Sequence, residues 1–345
     1  MKNTLFLYFI LIFLLSIGTC NNLKSQNSKS KYIIHKNNGS IIQGYKAFND
    51  FLNSDKSWES YKKIVLDAYP EMQAVHDKAL SWGSINPLKF PEELKNYKTE
   101  DWKQYFDQQD EITLNSLYDS ILTKANTIIA PINNNPIDLC LFLPYSGCFV
   151  LPEKDKSTIC ISLLISPNDR QKIMAHEYAH NLHFQRRPEE PLSLKREIVY
   201  EGMAVYLTTL IINDPNFTKS IPFMPETSVK WCLENESTIK DSIKVDLNDS
   251  TVRLFIRYIA DGGPAVPPKG FVEKTGYFAG YRIIKACIDK GMKLEEICSL
   301  KSEEVIAKSG YLIKFSYAKG CKINMEHRND LTENAYSNMF AIFVP

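Results

Sequence analysis

The stretch His176-Glu177-Tyr178-Ala179-His180 combines residue types and spacing that can do chemistry. On a helix, positions i and i+4 share one face, so the two imidazoles can converge on a single metal ion. Glu177 follows His176 by about 100° around the helix axis. That offset puts a carboxylate beside a water held by the ion, where it can act as a general base. Two histidines leave a catalytic zinc one protein ligand short of the usual three, with water completing the tetrahedron.

Three residues compete for the third position. His183 lies seven residues beyond His176, about 10 Å of helical rise, too far for both rings to reach one ion. Glu197 and Glu201 are one turn apart on the next helical stretch, so both can face the site. Glu201 is favoured because Gly202 and Ala204 follow it, small residues that would let its helix approach the first one closely. Glu197 then orients a histidine from behind, or is a solvated helix residue. His35, His76 and His327 stand alone, and Arg186-Arg187 with Glu189-Glu190 reads as a solvated turn.

These residues need elements to carry them. Tyr45, Phe48, Phe51 and Leu52, then Trp58, Tyr61, Ile64, Val65 and Ala68, recur at helical spacing up to Pro70, and further helical stretches follow near 71–82 and 101–130. The pattern changes at Ile137, where three short apolar runs (138–143, 147–151 and 158–165), bounded by Gly, Pro and Lys-Asp clusters, favour strands. Ser166-Pro167 then marks a helix start that should run to about Gln185 and stop before Pro188 and Pro191. Ser193 can cap a second helix to about Leu210, and helical patterns recur at 227–241, 248–260, 276–290 and 302–308, with a loop at 262–268. The fold class expected is α+β, mainly helical, with a small sheet immediately before the HEYAH helix.

At this point the sequence resembles the gluzincin metallopeptidases, in which H-E-x-x-H is followed by a glutamate on the next helix. More narrowly it resembles the bacterial predicted Zn-dependent proteases, through HEYAH, through Glu201-Gly202-Met203-Ala204, and through the glycine/tyrosine-rich Gly276-Tyr277-Phe278-Ala279-Gly280-Tyr281-Arg282. The resemblance covers roughly 137–310 and implies a zincin-like fold, a peptide or protein substrate, and one Zn²⁺ per chain. In that picture His176, His180 and Glu201 hold the metal, and Glu177 takes the proton of its water and passes it to the leaving amine. An oxyanion needs a further donor: Tyr277 is the candidate, with Tyr281 and Arg282 behind it. The same resemblance implies that strand 158–165 is the edge along which an extended peptide pairs.

The remaining features bound the context. With 41 Lys+Arg against 40 Asp+Glu and no basic stripe, nucleic-acid binding has no support. Lys2 and the apolar run of thirteen residues from Leu5 to Ile17 read as a signal segment, too short for a membrane span of about 20 residues. Ile17-Gly18-Thr19-Cys20 resembles a bacterial lipobox, with Thr19 where Gly, Ala or Ser is usual. The expectation is export and a lipid anchor on Cys20, with the domain facing periplasm or exterior. The organisation expected is a signal peptide at 1–19, a polar tether at 20–40, a peptidase domain at 41–310 (helical part 41–130, catalytic part 131–310) and an extension at 311–345. Seven cysteines after Cys20, widely spaced with no C-x-x-C pair, read as buried apolar residues rather than a disulfide framework. The rival reading is a catalytically silent lipoprotein that keeps the fold as a binding or assembly factor. Glu177 argues against it, since a binding protein needs no general base beside a metal.

Overall fold

The computed structural model describes residues 31–81, 83–247, 257–259 and 267–312. The signal segment, Cys20, His327, Cys321, the 313–345 part of the C-terminal extension and most of the stretches at 248–260 and 262–268 lie outside the described residues.

The chain enters the sheet earlier than its polar composition suggests. Strands β1 (Ile33–Lys36) and β2 (Gly39–Ile42) form an antiparallel hairpin that begins in the stretch assigned to the tether and crosses its boundary at 40. Its turn is Asn37-Asn38, and Gly39 follows at φ +135°, where an added Cβ would lie 1.9 Å from the Ile137 carbonyl oxygen. Only glycine lets the hairpin backbone sit this close to its neighbour. That neighbour is β3 (Ile137–Phe142), followed by β4 (Cys148–Pro152) and β5 (Ser157–Ser162) in the order β1-β2-β3-β5-β4. β3 and β5 are parallel and buried along their whole length, which explains their unbroken apolar runs.

The segment expected to offer an edge is therefore interior: β5 lies between β3 and β4. Among the described residues the free edge beyond it belongs to β4, which runs antiparallel to β5. The Gly147 carbonyl accepts from the Ser162 amide and the Glu153 amide donates to the Lys156 carbonyl, so the odd positions bond to β5. By the alternation of antiparallel pairing, Cys148 and Val150 turn their backbone groups outward.

The N-terminal helices are α1 (Gly44–Leu52), α2 (Trp58–Tyr61), α3 (Pro70–Ser81), α4 (Phe90–Lys95), α5 (Thr99–Asp107) and α6 (Glu111–Ile128). Where one apolar pattern suggested one helix, capping divides it. Ser57 Oγ accepts from the Ser60 amide to start α2 afresh, and Asp110 accepts from the amides of Ile112 and Thr113 to start α6. A π-turn at Lys62–Leu66 completes α2. His76 is buried here, its Nδ1 2.5 Å from the Tyr145 hydroxyl, which also meets Tyr61.

The helix α7 (Arg170–Phe184) begins after one 3₁₀ turn, Pro167–Asp169, capped by Ser166 as expected. It is enclosed on every side: Ile173, Met174, Ala175, Tyr178, Ala179 and Leu182 are all buried, against β4 and β5, α6, and the next helix. That next helix is α8 (Leu194–Ile211), its first turn capped by Ser193 Oγ on the Arg196 amide. The 227–241 pattern divides at Asn235 into α9 (Glu226–Glu234) and α10 (Glu236–Asp246). After these come α11 (Thr275–Asp289), α12 (Leu294–Cys298) and α13 (Ser302–Ser309). The stretch read as a solvated turn after α7 is tied down instead. Arg187 lies over the Phe184 and Tyr200 rings, and the Glu190 carboxylate accepts from the Ser302 amide and hydroxyl. Six cysteines fall among the described residues, all free, and all but Cys148 are fully buried. Among the described residues no helix is long and apolar enough to cross a membrane.

The small residues after Glu201 work differently from the expectation. Gly202 faces α11, not α7: a Cβ there would lie 2.2 Å from the Gly280 carbonyl carbon, and one on Gly280 would lie 2.1 Å from the Ile198 carbonyl oxygen. Helices α8 and α11 thus touch backbone to backbone. Gly280→Ala should force them apart and cost about 1–3 kcal/mol, as overpacking does. Urea denaturation of the metal-free protein measures it, and an unchanged midpoint would mean that this contact does not hold the helices together.

Candidate metal centre

Three helices meet at the site: α7 brings His176, Glu177 and His180, α8 brings Glu197 and Glu201, and α11 brings Tyr277. His176 Nε2 lies 3.1 Å from Glu201 Oε2 and 3.1 Å from His180 Nε2, and His180 Nε2 lies 3.4 Å from Glu201 Oε2. The three form a buried group able to hold a metal ion. Tetrahedral ligands about 2.05 Å from zinc stand about 3.3 Å apart, so this triangle already has the spacing of a zinc face. Two imidazole nitrogens this close cannot both carry protons, so at least one presents a lone pair. The donor set of two nitrogens and one carboxylate oxygen suits Zn²⁺ and leaves one position of four for water or substrate.

The electrostatics fit the same use. Burial first, then the His180 ring and the Lys274 ammonium, push His176 down to about 4, against the pull of Glu201. Although burial opposes it, the two facing imidazoles hold the Glu201 carboxyl far below the usual carboxylate range. Burial also opposes the rise of His180, which the Glu201 carboxylate imposes. His176 is therefore neutral and Glu201 ionised near neutral pH, the forms that bind metal.

Glu177 is buried, and burial raises its carboxyl to about 7. A carboxyl poised there can both accept and return a proton near neutral pH. The Tyr277 ring stacks on His176, with centroids 5.9 Å apart and planes at 22°. Burial, then the Glu201 and Glu177 carboxylates, raise the Tyr277 phenol well above its ordinary value, so it stays a donor. The lesser donor candidates point elsewhere. Tyr281 stacks on Phe217, with centroids 4.2 Å apart, and Arg282 Nε donates to Glu236 at 2.9 Å.

Glu197 is 3% exposed, which removes the solvated reading. It accepts from Arg196 Nε at 2.7 Å and lies outside the three-donor group. His183 is a core residue, edge-on to Tyr200 at 5.0 Å, and burial pushes it down to about 3. One residue here was not foreseen. Lys274 precedes α11 with φ 59°, is 6% exposed, and holds its Nζ 5.1 Å from both the Tyr277 and Phe223 ring centres. Its charge lowers both His176 and Glu177. A single lysine in a loop carries no periodicity or motif, so no sequence signal marks it.

The two glutamates on α8 are separable by experiment. Glu201→Ala should lose most of its zinc on dialysis against a mild chelator, since it removes one of three donors. Glu197→Ala should keep its zinc, with affinity weakened by about 10- to 100-fold at most. Retention of metal by Glu201→Ala with loss from Glu197→Ala would reverse the assignment.

Residues 126–307, more than half of the 345, match the family described as "Predicted Zn-dependent protease (DUF2268)". Among curated proteins and solved structures nothing matches the chain. The matched span runs from the end of α6 through strands β3 to β5, the HEYAH helix, Glu201 and Tyr277 into α13, so it contains every helix that brings a residue to the centre. The fold, the donor set and this match agree, and the chain belongs to the predicted Zn-dependent protease family.

Proposed function

We propose that this protein is a zinc metallopeptidase that hydrolyses peptide bonds with Glu177 as general base. The observation that carries the reading is the buried triangle of His176, His180 and Glu201 with the Glu177 carboxyl on the same helix. Zinc bound there would supply a Lewis acid for the scissile carbonyl and a water of pKa near 7. Glu177 takes one proton at its carboxylate as the C–O bond forms and delivers it to the departing amine as the C–N bond breaks. Tyr277, kept protonated beside the same group, donates to the oxygen on which charge develops. Glu197, held by Arg196, acts on His180 through its charge.

The sheet supplies a place for the substrate. An extended peptide can pair with the outward amides and carbonyls of Cys148 and Val150 on β4, the strand that packs against α7. The Glu177 carboxylate is close enough to raise the Cys148 thiol, behind the larger effect of burial. The N-terminal apolar run and Cys20 support the further proposal of an exported, lipid-anchored enzyme whose domain faces periplasm or exterior.

The test is Glu177→Gln. It should retain stoichiometric zinc and lose at least about 100-fold in peptide turnover, the range ascribed to general-base catalysis. Metal-replete Glu177→Gln with activity within a few-fold of wild type would remove Glu177 from the reaction.

A further inference from the structure

Three arginines gather where α7 ends and α8 begins, and they are used unequally. Arg186 donates to the Leu182 and Ala130 carbonyls, and Arg196 to the Glu197 carboxylate and the Glu190 carbonyl. The Arg187 side chain makes no hydrogen bond or ion pair among the described residues. Its guanidinium carbon lies over two rings, 4.2 Å from the centroid of Phe184 and 4.1 Å from that of Tyr200. Ring contact of this kind uses the charge and leaves the N–H donors unused. Glu190 and Glu197 act on it through their charge, but their carboxylates accept from Ser302 and from Arg196. Arg187 is half-buried, and unlike Nε and Nη2 of Arg170, which are sealed in without a partner, its nitrogens keep contact with solvent.

The position of this guanidinium ties it to the metal centre. His176, His180 and Phe184 are four apart on α7 and share one stripe, and the Arg187 amide, donating to the His183 carbonyl, continues the winding past the helix end. The His180 ring stacks on Phe184, with centroids 6.0 Å apart and planes at 18°, and Phe184 in turn meets Arg187. Those two contacts place the guanidinium carbon no more than about 10 Å from the His180 ring centre, the length of about three residues of extended chain. The stripe also opens along its length. The His176 side chain is 3% exposed and that of His180 12%, while Phe184 and Arg187 are half-buried.

We propose that Arg187 is a specificity residue, which binds a carboxylate of the peptide substrate about three residues from the bond that is cut. This deepens the peptidase reading and rests on it for the nature of the ligand. A guanidinium held against two rings keeps one orientation, so its planar fork can take a carboxylate through two parallel hydrogen bonds with little ordering left to do. Packing alone would need the stem and the face of the side chain, and has no use for donors left open to solvent. The carboxylate is either the chain end of a short peptide or an Asp or Glu side chain, and both present the same two oxygens.

Fluorescence anisotropy of zinc-loaded Glu177→Gln, which should bind peptides without consuming them, tests the assignment with dansyl-labelled hexapeptide pools free of acidic residues. One pair of pools differs in a free or an amidated C-terminus. A second pair, both amidated, differs in Glu or Gln at one fixed position, moved along the peptide from pair to pair. The carboxylate form should bind about 10- to 100-fold more tightly in at least one comparison, as charge-assisted hydrogen bonds do. A difference in the first pair names the chain end as the source, and one in the second names an acidic side chain. Adding Arg187→Met should abolish the difference, and adding Arg187→Lys, which keeps the charge without the planar fork, should restore part of it. A structural role would change resistance to urea and leave the discrimination intact. The proposal is overturned if no pair differs, or if the difference survives Arg187→Met, as it would were the carboxylate held by the zinc. It is overturned equally if Arg187→Lys discriminates as strongly as arginine. Wild-type protein that cleaves none of the pools, while Glu177→Gln still discriminates, would sink the peptidase reading alone.

Discussion

The structure depends on burying two imidazole nitrogens and a carboxylate oxygen within 3.4 Å of one another. Such a cluster is unfavourable as bare side chains, because ionised groups lose hydration and the two rings compete for one face of the carboxylate. It persists only if the surrounding packing leaves the three groups nowhere else to go. That packing is visible in α7, whose apolar residues are buried around its full circumference. Each large apolar side chain so buried contributes about 1.5–3 kcal/mol, together well beyond the strain of one polar cluster. The contact of Gly202 with Gly280 completes the enclosure by fixing α11, and with it Tyr277, against α8.

The same enclosure explains the properties of the neighbours. Glu177 is raised to about 7 because burial costs its charge more than the cations around it return. His183 shares the helix and the burial but meets Tyr200 and no carboxylate, so it is pushed down to about 3 and kept neutral. Polar residues within one short helix thus differ in charge state according to what faces each of them: His183 and His176 are pushed down by burial, and the Glu177 carboxyl is raised to about 7. That division follows from the partners on α8, and the HEYAH pattern alone does not contain it.

Much of the centre was legible before the fold. His176, Glu177 and His180 follow from helical spacing, a local periodicity; periodicity alone leaves Glu197 and Glu201 level, and Glu201 was favoured by the small residues after it and by the family resemblance. The strands at 137–142, 148–152 and 157–162 were legible as short apolar runs bounded by turn residues. What was missed depends on which elements lie side by side. The hairpin 33–42 has a polar turn, and its part up to 40 reads as tether until Ile41 and Ile42 are seen against β3. The strand expected to be an edge proved interior, since strand order is a long-range property that no run of residues encodes. Gly202 was rightly read as a sign of close approach, but toward the wrong helix. Lys274 and the unmatched Arg170 carry no pattern and become visible only through burial.

The proposed metal-binding face is formed by His176, His180 and Glu201. X-ray absorption at the zinc edge of the metal-loaded protein tests it directly. Only nitrogen and oxygen neighbours at about 2.0–2.2 Å are expected, with the outer-shell signature of two imidazoles. A sulfur neighbour at about 2.3 Å, or a shell with fewer than two imidazoles, would contradict it.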